Sequence, residues 1–313
     1  MPPTETVTVT MSTALLRRLA PLGLLAVPLL IPVLAGPSDA ANHAATNAAT
    51  STHSISPHAA KDSRRTVPAK AQLAAVTGAK VAFGTSLGTD TAQTVRLFPN
   101  ARVGRVFWSS PKAKLPALPK SYQIWLSFRT SPSLVASGRF NAPFASLLRA
   151  WNTSGRTVYW TWYHEADRHP GINAAQIRAG WAQLLSVERK YPSPHVKSMS
   201  IYTGIMLAPN HPHGNPAAWY VNADVLGFDC YVPASISRAM AYARAKHKPW
   251  AVPEFGADNG DAGDVAYIRA TIASWGAYPP VGAAWYNNTA AASFSQPLRI
   301  LPKTTAYLRM LAG

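Results

Sequence analysis

Residues Thr157–His169 read TVYWTWYHEADRH. The first part is a run of aromatic and β-branched residues, the composition of a buried strand. It ends abruptly in His164, Glu165 and Asp167. Glutamate is scarce here: the chain has four, Glu5, Glu165, Glu188 and Glu254. Glu5 precedes a targeting-like segment, which leaves three for the folded part. Two of these, Glu165 and Glu254, end apolar strand-like runs, VYWTWYHE and PWAVPE. Glu188 lies instead in WAQLLSVERKY, a helical pattern.

Working outward, alternating apolar runs bounded by turn residues form a regular series. They are KVAFGTSLG from Lys80, ARVGRVFWS from Ala101, YQIWLSF from Tyr122 and TVYWTWYHE from Thr157. VKSMSIYTGIML from Val196, DVLGFDCYV from Asp224, PWAVPEFG from Pro249 and VGAAWYN from Val281 complete the set. Helical patterns lie between several of them. In NAAQIRAGWAQLLSVERKY, Ile177, Trp181, Leu184 and Leu185 share one face and Asn173 is placed to cap. SRAMAYARAKH and DVAYIRATIASW read the same way. The expected fold is therefore α/β, a single-domain (β/α)₈ TIM barrel. A doubly wound open sheet is the alternative, because SPKAKLPALPKS, after the second run, is too rich in proline for a full helix. In a barrel of this kind functional residues sit at the C-terminal ends of the strands. Glu165 and Glu254, at the fourth and seventh tips, would share one mouth, while Glu188 would finish at the opposite face.

The ends of the chain read differently. Arg17 and Arg18 precede an apolar run from Leu22 to Leu34, and Ser38, Asp39 and Ala40 follow. This is the pattern of a secretory signal, expected over 1–40 with Met11 as an alternative start. Residues 41–77, rich in Ala, Thr, Ser and His, have the composition of a disordered linker. The single domain is then expected over 78–313, in a secreted, extracellular protein. One cysteine, Cys230, excludes an intramolecular disulfide. The net charge of +17 suits contact with an anionic cell-wall polymer or an acidic polysaccharide. The basic residues are scattered and no nucleic-acid motif appears, so no nucleic-acid partner is expected.

Two carboxyl groups at one mouth can perform glycoside hydrolysis, one as proton donor and the other as nucleophile or base. Their environments must separate their pKa values. Glu165 leaves an aromatic strand, which favours the neutral acid, and Tyr231 at the sixth tip can donate a hydrogen bond to anionic Glu254. Trp108 and Trp285 end the second and eighth runs, with Tyr163, Trp219 and Tyr286 nearby in sequence. Their flat faces suit sugar rings. Trp125, Trp160, Trp162 and Trp181 are assigned to the core. Asp229 shares the face of Tyr231 and can support the site, while Cys230 turns to the other side. Asp167 is assigned to the loop. His164 and His169 are five apart after a strand, which does not fit the i, i+4 helical zinc motif. His211 and His213 form an i, i+2 pair without a clear third ligand, so no metal is expected and His211 is retained as a substrate contact.

In order and placement, His164-Glu165, GFDCYVP around Tyr231, PEFG at Glu254 and Trp285 on the last strand resemble glycoside hydrolase family 26, the mannanase-type family. The resemblance spans roughly Ala79 to Asn288. It implies a retaining clan A barrel with Glu165 as acid/base and Glu254 as nucleophile. His164 would contact the nucleophile region or the adjoining sugar, and Trp285 would floor that subsite. The substrate class implied is a β-linked polysaccharide, β-mannan first, with β-1,3-xylan and mixed-linkage β-glucan as further options. A monomer is expected, with no cofactor and no membrane association after signal removal. The rival reading is a non-catalytic barrel that binds cell wall or polysaccharide, although that reading is at odds with the presence of both carboxylates.

Overall fold

The computed structural model describes residues 81–87, 91–211, 216–256, 260–276, 278–286 and 302–312. The signal-like and linker segments lie outside these residues, as do His213 and Asn288. Eight strands, β1 (Ala82–Ser86), β2 (Val103–Trp108), β3 (Gln123–Phe128), β4 (Val158–Trp162), β5 (Val196–Thr203), β6 (Val225–Asp229), β7 (Trp250–Phe255) and β8 (Gly282–Trp285), follow the predicted order. Every strand pairs in parallel with the next, and β8 pairs with β1, Ala82 opposite Gly282 and Thr85 opposite Trp285. That closure makes the sheet a barrel and removes the open-sheet alternative. The helices between strands are α1 (Thr91–Leu97), α2 (Pro132–Ala136), α3 (Asn141–Thr153), α4 (Ala174–Lys190), α5 (Pro216–Trp219), α6 (Pro233–Ala245) and α7 (Gly260–Ala273). Helix α8 (Pro302–Ala312) follows β8. The proline-rich stretch between β2 and β3 forms no helix.

The strands are buried on both faces, as a parallel sheet under helices requires. Alternation sends Val103, Trp125, Met199, Val225, Ala251 and Ala284 into the barrel. The indole of Trp125 needs bare backbone opposite. A Cβ on Gly282 would sit 2.8 Å from it and 2.6 Å from the Ala82 carbonyl oxygen. The other parity faces the helices. Trp160 stacks on Trp181 at 5.0 Å and meets Phe144 edge-on at 4.8 Å. Trp162 lies so close to α4 that a Cβ on Gly180 would come within 2.3 Å of its ring.

Helix α4 begins where the sequence places its cap. Asn173 Oδ1 accepts from the Gln176 amide at 2.9 Å and Gln176 Oε1 accepts from the Asn173 amide at 3.1 Å, a reciprocal capping box. Its far end carries Glu188, which accepts from Trp160 Nε1 at 2.8 Å and so ties the helix to β4. Burial, with Asp224 at the N-terminal end of β6, pushes the Glu188 carboxyl up to about 7. Glu188 thus belongs to the helix-sheet packing, on the side away from the strand tips.

One irregularity shapes the mouth. Between β7 and β8, Val252 pairs with Ala283 and Phe255 with Trp285, so β7 carries one extra residue. This bulge falls at Pro253 and Glu254, where proline has no amide to give to the ladder. Pro253 still points inward against Gly227, and Phe255 already packs outward on Trp285. The extra residue therefore turns Glu254 into the barrel mouth. At Gly84, a Cβ would meet the Val103 carbonyl oxygen at 1.9 Å. We expect Gly84→Ala to cost about 3 kcal/mol or more, read as a lowered midpoint in urea unfolding.

Candidate active site

The tip of β4 is bent. Tyr163 and Glu165 both adopt left-handed backbone, φ 56° and 50°, on either side of His164. Such conformations cost energy in residues with side chains and persist only where neighbours hold them. Here the Tyr163 amide donates to the Phe128 carbonyl on β3 at 2.9 Å, and the Glu165 amide donates to the Ile201 carbonyl on β5 at 3.0 Å. The tip is thus clamped from both sides. Behind it Asp167, fully buried, accepts from the Thr203 hydroxyl and sits 3.4 Å from the Thr203 amide, which makes it a loop anchor.

Glu254 is held by two donors. Tyr231 Oη donates to Glu254 Oε2 at 2.6 Å, and Arg105 Nη2 reaches Glu254 Oε1 at 3.4 Å. Arg105 is 0% exposed, inside the barrel on β2. Its Nη1 donates to Ser127 Oγ at 2.7 Å, and its guanidinium lies 4.2 Å from the Phe107 ring centre. Burial pushes the Glu254 carboxyl up, while Arg105 and Tyr231 pull it back towards the anion. Among the described residues Glu165 has no comparable set of donors. Burial first, and the neighbouring Glu254 second, push it up to about 8, and Arg168, 4.0 Å away, offsets only part of this. Glu165 is therefore a neutral acid at neutral pH, while Glu254 carries the two donors that favour its anionic form. Asp229, buried beside them, is pushed well up by burial and by both glutamates. His164 is pushed well down by burial and by Arg105 and Arg129, so its ring is neutral.

A cavity of about 260 Å³ opens next to this pair, lined among the described residues by Phe107, Trp108, Ser109, Ser127, Arg129 and His164. Trp108 and His164 are thus at the cavity, and Glu165, Glu254, Tyr231 and Asp229 form the adjoining polar cluster. Tyr163 packs edge-on against His169 at 5.3 Å, with Arg129 5.7 Å above its ring. Two sequence-based expectations, Trp285 and Trp219 as sugar-binding faces, are corrected. Trp285 is 2% exposed and packs on Phe255 between barrel and helices, so it presents no face to a ligand. Its parity is fixed by Ala284, which points inward, and Tyr286 takes the mouth position instead, 6.0 Å from Phe107 and 6.5 Å from Tyr231. Trp219 is buried in the core at the end of α5. The His211 amide closes a turn onto the Ala208 carbonyl. Cys230 is buried on the helix side of β6, opposite Tyr231, as alternation requires.

The sequence reading missed Arg105, Phe107 and Arg129. A signal for Arg105 exists: in ARVGRVFW it is an arginine of inward parity within an apolar run, and a cation there requires a buried counter-charge.

No protein-family model and no curated protein sequence matches the chain. Solved structures do match. One is the catalytic domain of the Bacillus sp. JAMB-750 GH26 endo-β-1,4-mannanase, with TM-score 0.51 and 12% identity over 77% of this chain and 88% of that one. Another is a double mutant of the Cellulomonas fimi endo-β-1,4-mannanase, with TM-score 0.51 and 14% identity over 76% of this chain and 73% of that one. These likenesses establish a shared (β/α)₈ fold with mannanases of glycoside hydrolase family 26.

The folded-state pKa of Glu165 lies above that of free glutamate, about 4.3, so folding favours its protonated form. That contribution to stability is complete below about pH 4.3 and is lost as pH rises through about 8. Glu165→Gln should therefore gain stability relative to the native chain as pH is raised from 5 to 8, read by urea unfolding at each pH.

Proposed function

We propose that this chain is a secreted retaining endo-β-glycanase. The observation that carries the reading is the asymmetry of the glutamate pair: Glu165 neutral and pushed up to about 8, Glu254 gripped by Arg105 and Tyr231. The fold shared with structures named as endo-β-1,4-mannanases supports it and makes β-mannan the first polymer to assay. β-1,3-Xylan and mixed-linkage β-glucan come next.

In the first step Glu165 gives its proton to the leaving glycosidic oxygen as the C1–O bond breaks. A Glu254 carboxylate oxygen bonds to C1 from the opposite face. The Tyr231 hydroxyl and the Arg105 guanidinium keep that carboxylate ionised and aimed. In the second step Glu165, now anionic, takes a proton from water as the water oxygen attacks C1 and Glu254 leaves. One water is consumed, and the anomeric configuration is retained after two inversions. Glu165 ends the cycle protonated again. Neutral His164 and Tyr286 line the approach to C1 and the adjoining sugar.

Reducing-sugar release from β-mannans, β-1,3-xylan and mixed-linkage β-glucan tests the reading. Glu254→Gln should abolish turnover on whichever polymer is cut. Glu165→Gln should lower kcat/KM by about 10²–10⁴, and by much less on aryl glycosides, whose leaving group needs no proton. Binding of a polymer by the native chain and both variants alike, with no release of sugar, would identify a non-catalytic carbohydrate-binding barrel instead. The pH profile gives a separate check. With Glu165 ionising near 8, kcat/KM of the native chain on polymer should fall above about pH 8, and that alkaline limb should be lost in Glu165→Gln.

A further inference from the structure

Two arginines sit at the mouth, and their circumstances differ. Arg105 is matched by Glu254. Arg129, immediately after β3, is half-buried in the cavity wall, and among the described residues it has no carboxylate partner. Its Nη2 lies 3.0 Å from His169 Nε2. A guanidinium has only donors, so that ring nitrogen accepts and His169 is neutral; burial and Arg129 itself also push the imidazole down. The face of Tyr163 covers the guanidinium from one side at 5.7 Å. Histidine and tyrosine therefore fix the direction of Arg129 without cancelling its charge. Only one of its five N–H groups is committed to His169.

In the same cavity lining, Trp108 and Phe107 are aromatic and Ser109 carries a hydroxyl. An oriented, uncompensated guanidinium beside an aromatic wall is a receptor for a planar anion carried on a sugar ring. On this ground we infer that the cavity is a subsite for a uronic acid unit, with the carboxylate of the sugar paired to Arg129 and the ring against Trp108. The substrate class is then a β-linked polysaccharide that contains hexuronate, and Arg129 is the specificity-determining residue. His169 is its positioning residue. The net charge of +17 favours encounter with such a polymer at low salt. This inference rests on the hydrolase reading for its kinetic form, although the subsite itself makes a separate claim about binding.

The test compares one polymer in two forms: a β-linked glycan of mannose and glucuronic acid, and the same material with its carboxyl groups reduced to alcohols by carbodiimide and borohydride. We expect the native chain to prefer the acidic form by about ten- to a hundred-fold in kcat/KM, the scale of a charge-assisted hydrogen bond. The preference should shrink as salt is raised. Arg129→Gln should bring the ratio to about one, and Arg129→Lys should keep part of it. Equal rates on both forms by the native chain, or a preference that survives Arg129→Gln, would overturn the inference. If neither form nor neutral β-mannan is cut, the hydrolase reading fails, and calorimetric binding of both forms decides the subsite. A preference for the acidic form that depends on Arg129 supports it, and no preference overturns it.

Discussion

The contact between Arg105 and Glu254 is the constraint on which the rest of the site depends. A guanidinium with no exposure inside a barrel is expensive unless a counter-charge meets it, because the interior replaces little of its hydration. Glu254 supplies that charge only because β7 bulges at Pro253 and turns it inward. Burial first, and the Glu254 charge second, then keep the nearby Glu165 carboxyl from ionising readily. Removing either member would leave a buried charge without its match. The same pair thus maintains both the integrity of the mouth and the difference between its two acids.

The strand order was legible because every strand is buried on both faces, and such strands read as apolar runs between turns. The helix starting at Ala174 was legible for another reason: its cap is local chemistry, Asn173 with Gln176, independent of the rest of the fold. The pairing of Tyr231 with Glu254 could be anticipated because both end strands and adjacent strands in a barrel bring their tips together. Scarcity helped as well, since a chain with four glutamates places few of them by chance at strand ends.

What was not legible is parity near a strand tip. Trp285 and Tyr286 are neighbours in a short aromatic pair, and nothing local says which of them faces the mouth. The answer comes from across the barrel, where the Trp125 indole requires the bare backbone of Gly282 and so sets the inward phase of β8. The bulge at Pro253 is similar, being defined by a register between two strands far apart in sequence. Trp219 was misread because α5, which carries it, is a single short helix whose buried side is set by packing against Tyr202 and its neighbours. In each case a long-range contact decides between two arrangements that local sequence leaves equivalent.

The charge pattern of the mouth follows from the same packing. Arg105 lies within β2 and Arg129 just after the neighbouring β3, and after burial both depress the proton affinity of His164. A neutral histidine there avoids a third cation in a confined space and keeps a ring available for hydrogen bonding. The two arginines differ in what each is bound to. Arg105, neutralised by Glu254 and enclosed by Ser127 and Phe107, has its guanidinium taken up by partners from the chain itself. Arg129, among the described residues, is held by the neutral partners His169 and Tyr163 and lines the cavity. A ligand of matching charge would complete the second pair as Glu254 completes the first. Among the described residues the two arginines are thus distinguished by one difference, the presence or absence of a carboxylate partner.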